Sequence, residues 1–274
     1  MAIENGLLKT DYISAQIGDR LGQVIGKIKN ETFSEVFIFE GKQLKGIFSP
    51  ISIIKSGINV SQTKVDSVIR PIKSIEYNGD ILSVAKNILD TNYNTVIVHD
   101  DKSIKGIINI VDLLYHIRSS FKRILVSEIK VKKPVAVHEN TSIGKAIHLI
   151  QDLKLSGLLV NDGKETLGVI TPYDMIRNIH LGSFSRDAGG KHGSRSKAFK
   201  AEKNDLNQIS VSNFIKYKNK ISILPNMGAV DLIELLYDNQ LLSVILGNAS
   251  LITARDVLRH MFDSKGLFKP ELSA

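Results

Sequence analysis

Apolar positions return at helical spacing in four separate stretches of the chain. Leu21, Val24, Ile25 and Ile28 form the first stripe and Ile81, Val84, Ala85 and Ile88 the second. Ile143, Ala146, Ile147 and Ile150 form the third, and Ala229, Leu232, Ile233 and Leu236 the fourth. An i, i+3, i+4, i+7 recurrence gathers apolar side chains on one face, so each stretch predicts an amphipathic helix on a core. Two short apolar runs follow every stripe. They are Val36–Phe39 with Gly46–Phe48, Val96–Val98 with Gly106–Ile108, Leu158–Val160 with Gly168–Ile170, and Val244–Leu246 with Leu251–Ile252. These runs predict strand pairs, with turn chemistry supplied by Gly41, Asp162-Gly163 and Gly247-Asn248. An opening strand and a closing helix complete each unit.

Spacing turns this likeness into a repeat. The glycines that open the third strand, Gly46, Gly106 and Gly168, lie 60 and 62 residues apart. The fourth copy has Ser250 there, 82 residues beyond Gly168. The excess of about 20 residues matches an odd stretch near 182–208, which is therefore an insertion. The expected boundaries are 7–60, 64–120, 126–181 and 209–264 for the four repeats, with 182–208 inserted between the last two.

One motif stands out, Gly168-Val169-Ile170-Thr171-Pro172-Tyr173-Asp174. A strand stops at a threonine suited to capping a helix, and proline follows at the first helical position. A helix start offers unpaired N–H groups and positive potential, which suit a phosphate; Asp174, one turn in, suits sugar hydroxyls. A capping box accounts for the same residues, although it prefers Glu or Gln at the third position. The motif recurs as Thr253 and Asp256 in the fourth copy and as Asn109 and Asp112 in the second. The first copy has Ser49, with Ser52 in place of the carboxylate.

At these residues the chain resembles the cystathionine-β-synthase (CBS) domain family. Four copies are similar to stand-alone archaeal CBS proteins and to the gamma regulatory subunit of AMP-activated protein kinase. The resemblance implies an α/β fold of four tandem βαββα repeats, paired into two Bateman modules in a disc-like arrangement. It also implies clefts for adenosine-containing ligands (AMP, ADP, ATP or S-adenosylmethionine), with Asp on the ribose and Thr near the phosphate. Residue by residue this points to Thr171, Asp174, Thr253 and Asp256, in a competent C-terminal module, with Asn109 and Asp112 as a weaker third place. The missing carboxylate directs ribose binding away from the first copy.

Composition narrows the function. There is no cysteine, which removes disulfides, thiolate nucleophiles and cysteine-ligated metals and fits a reducing, cytoplasmic setting. The seven histidines form no His-Glu-x-x-His pair, and no nucleophile elbow follows a strand. Gly22 to Ile28 imitates a phosphate loop but is one residue short, with Ile28 in place of the magnesium-binding hydroxyl. No catalytic or metal site is therefore expected, and no enzyme. The greasiest window, Leu241 to Ile252, is too short to span a bilayer, and no membrane partner is expected.

The net charge of +8 is concentrated in two places. Residues 118–133 carry a net +5 and residues 191–203 a net +4, so the remainder is near neutral. Local basic patches point to phosphate-bearing partners. The insertion is rich in Gly and Ser, and its basic residues suit a polyanion that orders it on contact. The residues expected there are Lys132, Lys133, Lys191, His192, Arg195, Lys197 and Lys200. Two readings follow. One is a sensor of adenosyl ligands that acts on a regulated protein and can pair as a homodimer. The alternative is a ribosome- or RNA-binding dormancy factor, which nucleotide could gate.

Overall fold

Four apolar stripes require four places to be buried, and each finds its own small sheet. The structure, a computed structural model, describes residues 3–28, 35–49, 63–91, 93–100, 103–153, 155–180, 207–215, 221–247 and 250–264. In the first repeat β1 (Ser14–Gln16) leads into α1 (Leu21–Lys27), then β2 (Val36–Glu40) and β3 (Gln43–Phe48). The second has β4 (Ser74–Glu76), α2 (Ile81–Asp90), β5 (Thr95–His99), β6 (Ile104–Asn109) and α3 (Ile110–His116). The third has β7 (Ala136–His138), α4 (Ile143–Asp152), β8 (Leu158–Asn161), β9 (Thr166–Ile170) and α5 (Pro172–His180). The fourth has β10 (Ser222–Ile223), α6 (Ala229–Asp238), β11 (Ser243–Leu246), β12 (Ser250–Thr253) and α7 (Ala254–Ser264).

Each sheet has three strands with the middle run at its centre. The opening strand lies parallel to the middle one, which the intervening helix permits, and the third strand returns antiparallel. All sixteen residues of the four predicted stripes are buried. Burying an aliphatic side chain of this size contributes about 1.5–3 kcal/mol, so the stripes are the main reason the helices form. Gly41, Gly163 and Gly247 take positive φ values of 59°, 93° and 60° at the turns between the second and third strands.

The glycine that opens the third strand has a cause that periodicity does not reveal. A Cβ on Gly46 would lie 2.4 Å from the Arg70 carbonyl oxygen, and one on Gly106 would lie 2.7 Å from that of Lys9. In both cases a connecting segment pairs with the strand edge, Arg70 with Ile47 and Lys9 with Ile107. The same glycine sits opposite the residue where the ladder shifts register, at Ile38, Val98 and Val160. The β11–β12 ladder, with Ser250 opposite Leu246, runs through without a shift.

The chain divides into two compact units that take alternate repeats. One draws on 1–12, 73–134 and 221–274, and so holds repeats 2 and 4; the other draws on 13–72 and 135–220, and holds repeats 1 and 3. In the first unit α3 packs on α2, α6 and α7, and α7 also packs on α2 and α6. In the second, α5 packs on both α1 and α4, and Ile176 of α5 joins the core of repeat 1 beside Leu21 and Val24. Residues 7–12, expected to begin repeat 1, instead border the sheet of repeat 2. Residues 182–206 of the insertion, with Lys191, His192, Arg195, Lys197 and Lys200, and also Ser52, lie outside the described residues.

Candidate functional site

A threonine ends the third strand of repeat 3 and caps α5. The Thr171 hydroxyl donates to Asp174 Oδ2 at 2.6 Å, and the Thr171 backbone N–H donates to the same oxygen at 2.9 Å. The Asp174 N–H returns a bond to the hydroxyl at 3.3 Å. Repeat 4 repeats the arrangement at α7. There the Thr253 hydroxyl and N–H reach Asp256 Oδ2 at 2.7 and 3.0 Å, and the Asp256 N–H reaches the hydroxyl at 3.2 Å. Both are reciprocal capping boxes with Asp in the role usually filled by Glu. Asp174 and Asp256 are 6% and 7% exposed, so each helix start holds a buried carboxylate beside a hydroxyl. Arg259 approaches Asp256 Oδ1 at 3.9 Å.

Repeat 2 solves the same problem differently. Asn109 Oδ1 accepts the N–H groups of Val111 and Asp112, both at 2.9 Å, and its amide nitrogen donates to Asp112 Oδ2. A second donor to that oxygen comes from Lys9, whose ammonium lies 2.7 Å away. In repeat 1, Ser49 is buried at the corresponding strand end.

The six predicted ligand-binding residues therefore build three caps, and the units divide them. Asn109, Asp112, Thr253 and Asp256 share the unit of repeats 2 and 4, where α3 packs against α7. Thr171 and Asp174 belong to the unit of repeats 1 and 3. The C-terminal pair expected to work together thus falls in different compact units.

Side chains that the motif passed over tie the repeats together. Two positions after Thr253, Arg255 reaches repeat 2, donating to the Asn94 side-chain oxygen at 3.2 Å and to the Thr91 carbonyl at 2.8 Å. It also donates to the carbonyls of Ile88 and Tyr93. A guanidinium there satisfies carbonyls left open at the end of α2 and faces the negative end of its dipole. Two positions after Thr171, the Tyr173 hydroxyl donates to buried Glu35 of repeat 1 at 3.4 Å. Asn94 and Glu35 occupy the same place in their repeats, directly before the middle strand. The only signal in the sequence was a long polar side chain at the second position past each threonine.

Tyr115 and Tyr237 stack with centroids 3.9 Å apart, and Arg118 lies over the Tyr115 ring at 3.9 Å. In the central basic stretch Lys122, Arg123, Lys130, Lys132 and Lys133 are all exposed. None of them forms an ion pair with another of the described residues. Among the described residues no group of three or more His, Cys, Asp or Glu side chains could hold a metal ion, and no helix is long and apolar enough to cross a membrane.

Residues 126–181, the third repeat with its cap, match the family model of the CBS domain. The fold of the whole chain is that of tandem CBS-repeat proteins. It is similar to protein MJ1225 from Methanocaldococcus jannaschii, proposed to be an archaeal homolog of g-AMPK, at a TM-score of 0.75 and 12% identity, covering 93% of this chain and 98% of that one. It is also similar to a conserved protein from Pyrococcus horikoshii, at a TM-score of 0.56 and 14% identity, covering 94% and 98%. At such identities what is shared is the fold. No curated protein matches the sequence.

Proposed function

We infer that the chain is a non-catalytic regulatory protein. It binds an adenosine-containing ligand (AMP, ADP, ATP or S-adenosylmethionine) at Thr171/Asp174 and Thr253/Asp256 and passes occupancy to a partner. One observation carries this reading. The same hydroxyl–carboxylate cap is built twice, with closely matching distances and on an aspartate no more than 7% exposed. Carboxylate oxygens accept from ribose hydroxyls, and a helix start favours a phosphate. Ligand acts by binding one conformation of the protein better than another, and only to that extent.

Because α3, α5 and α7 begin at the caps and pack on helices of the other repeat in their unit, a change at a cap reaches that repeat directly. Arg255 and Tyr173 stand two residues from the threonines and make the same connection. Melting of the full-length protein with and without each ligand tests the reading. Asp174→Ala should lose the part of the ligand-induced shift due to repeat 3, measured against its own ligand-free melting point; an unchanged shift contradicts the assignment.

A second reading rests on the five exposed central cations, which lie ready for a polyanion. On it, the protein docks on ribosomal or other RNA through Lys132 and Lys133 together with the insertion's Lys191, His192, Arg195, Lys197 and Lys200. Binding to RNA that falls steeply with salt, and that weakens when 182–208 is deleted, is the expected result.

A further inference from the structure

The three caps differ in where their carboxylates find donors. Asp174 and Asp256 each take two from the capping threonine, its N–H and its hydroxyl. Asp112 takes one from the Asn109 amide, and its second donor is the Lys9 ammonium at 2.7 Å. The lysine comes from a different segment of the chain, held in place by its backbone. Lys9 N–H donates to the Ile107 carbonyl at 3.0 Å and the Ile107 N–H donates back at 2.8 Å. Gly106 leaves the room this pairing needs. The Lys9 side chain is 43% exposed and that of Asp112 only 7%, so the ammonium lies between solvent and the carboxylate.

We propose that repeat 2 carries a third ligand place that Lys9 keeps closed. The ammonium supplies the charge-assisted hydrogen bond to Asp112 that a ribose hydroxyl would otherwise supply. Leaving a buried carboxylate short of a donor is costly, so the place stays shut while the lysine is there. The N-terminal segment then stands in the place of nucleotide at Asp112. The proposal takes its ligand class from the nucleotide reading above, but it makes a separate claim about Lys9.

The test is calorimetric titration of AMP, ADP and ATP into the full-length protein, wild type beside Lys9→Met. Lys9→Gln serves as a second variant should Met disturb folding. The expected result is one more nucleotide bound per chain in the lysine variants, lost again when Asp112→Asn is added. An unchanged stoichiometry, including none bound by either protein, overturns the proposal, and so does an added site that survives Asp112→Asn. Wild type alone reports on the general reading. If it binds nothing while Lys9→Met binds one, the sites at Thr171/Asp174 and Thr253/Asp256 fail and the Lys9 closure stands. Nucleotide bound in equal, non-zero number by both proteins leaves the reverse.

Discussion

Arg255 joins two repeats through one side chain, and the consequence of removing it is specific. Its guanidinium serves three carbonyls at and beyond the end of α2 as well as the Asn94 amide. Hydrogen bonds from a charged group contribute about 1.5–3 kcal/mol each at most, and their effects overlap at one site. Arg255→Ala should therefore lower stability in urea by about 2–4 kcal/mol. Arg255→Lys should recover only part of this, because an ammonium cannot span the same fork of acceptors. Tyr173→Phe removes one long hydrogen bond and should lose about 1 kcal/mol or less. A loss of the same size from all three would contradict the idea that the Arg255 fan is the stronger tie. The partners of Arg255 were not legible in the sequence, because three of its four acceptors are backbone carbonyls and all four lie more than 160 residues away.

At the scale of elements, the strand glycines and the turn aspartate give opposite kinds of prediction. Gly46→Ala drives a Cβ against the Arg70 carbonyl, part of a paired backbone that yields little. The expected loss is about 1–3 kcal/mol by denaturant unfolding. Ser250→Ala, at the equivalent position of repeat 4, should change stability by less than about 0.5 kcal/mol. Asp162, at the β8–β9 turn, accepts the Lys164 and Glu165 N–H groups, both at 2.8 Å, and the Glu165 bond comes first among the causes that hold its pKa below the ordinary value.

A lowered folded-state pKa means that Asp162 stabilises the turn above the unfolded-state value. That contribution fades as pH falls through the folded one. Amide exchange at Lys164 and Glu165 should rise relative to neighbouring turns as acid protonates Asp162, and Asp162→Ala should abolish the pH dependence. The elements themselves were largely readable. All four stripes became buried helical faces, because apolar side chains at a 3.6-residue period line up only when the backbone is helical. The glycine signature was readable as a position but not as a cause, since the segment that crowds it comes from elsewhere in the chain.

For the whole molecule, the repeat count and the order of elements in each repeat followed from periodicity, while the grouping of repeats did not. Consecutive copies in sequence are not the copies that share a compact unit. Periodicity reports what each repeat buries within itself. It says little about which neighbour receives Ile176 or Arg255. The caps were legible as motifs, and their ambiguity was legible too, since one Thr–x–x–Asp pattern serves both a capping box and a ribose grip. The structure displays the box, and the grip is the functional proposal. The most direct measurement is a crystal structure of the full-length protein grown with ATP or AMP. Ribose hydroxyls are expected on the carboxylates of Asp174 and Asp256, with phosphate toward Thr171 and Thr253. Saturating nucleotide that leaves both carboxylates without a ribose would contradict it.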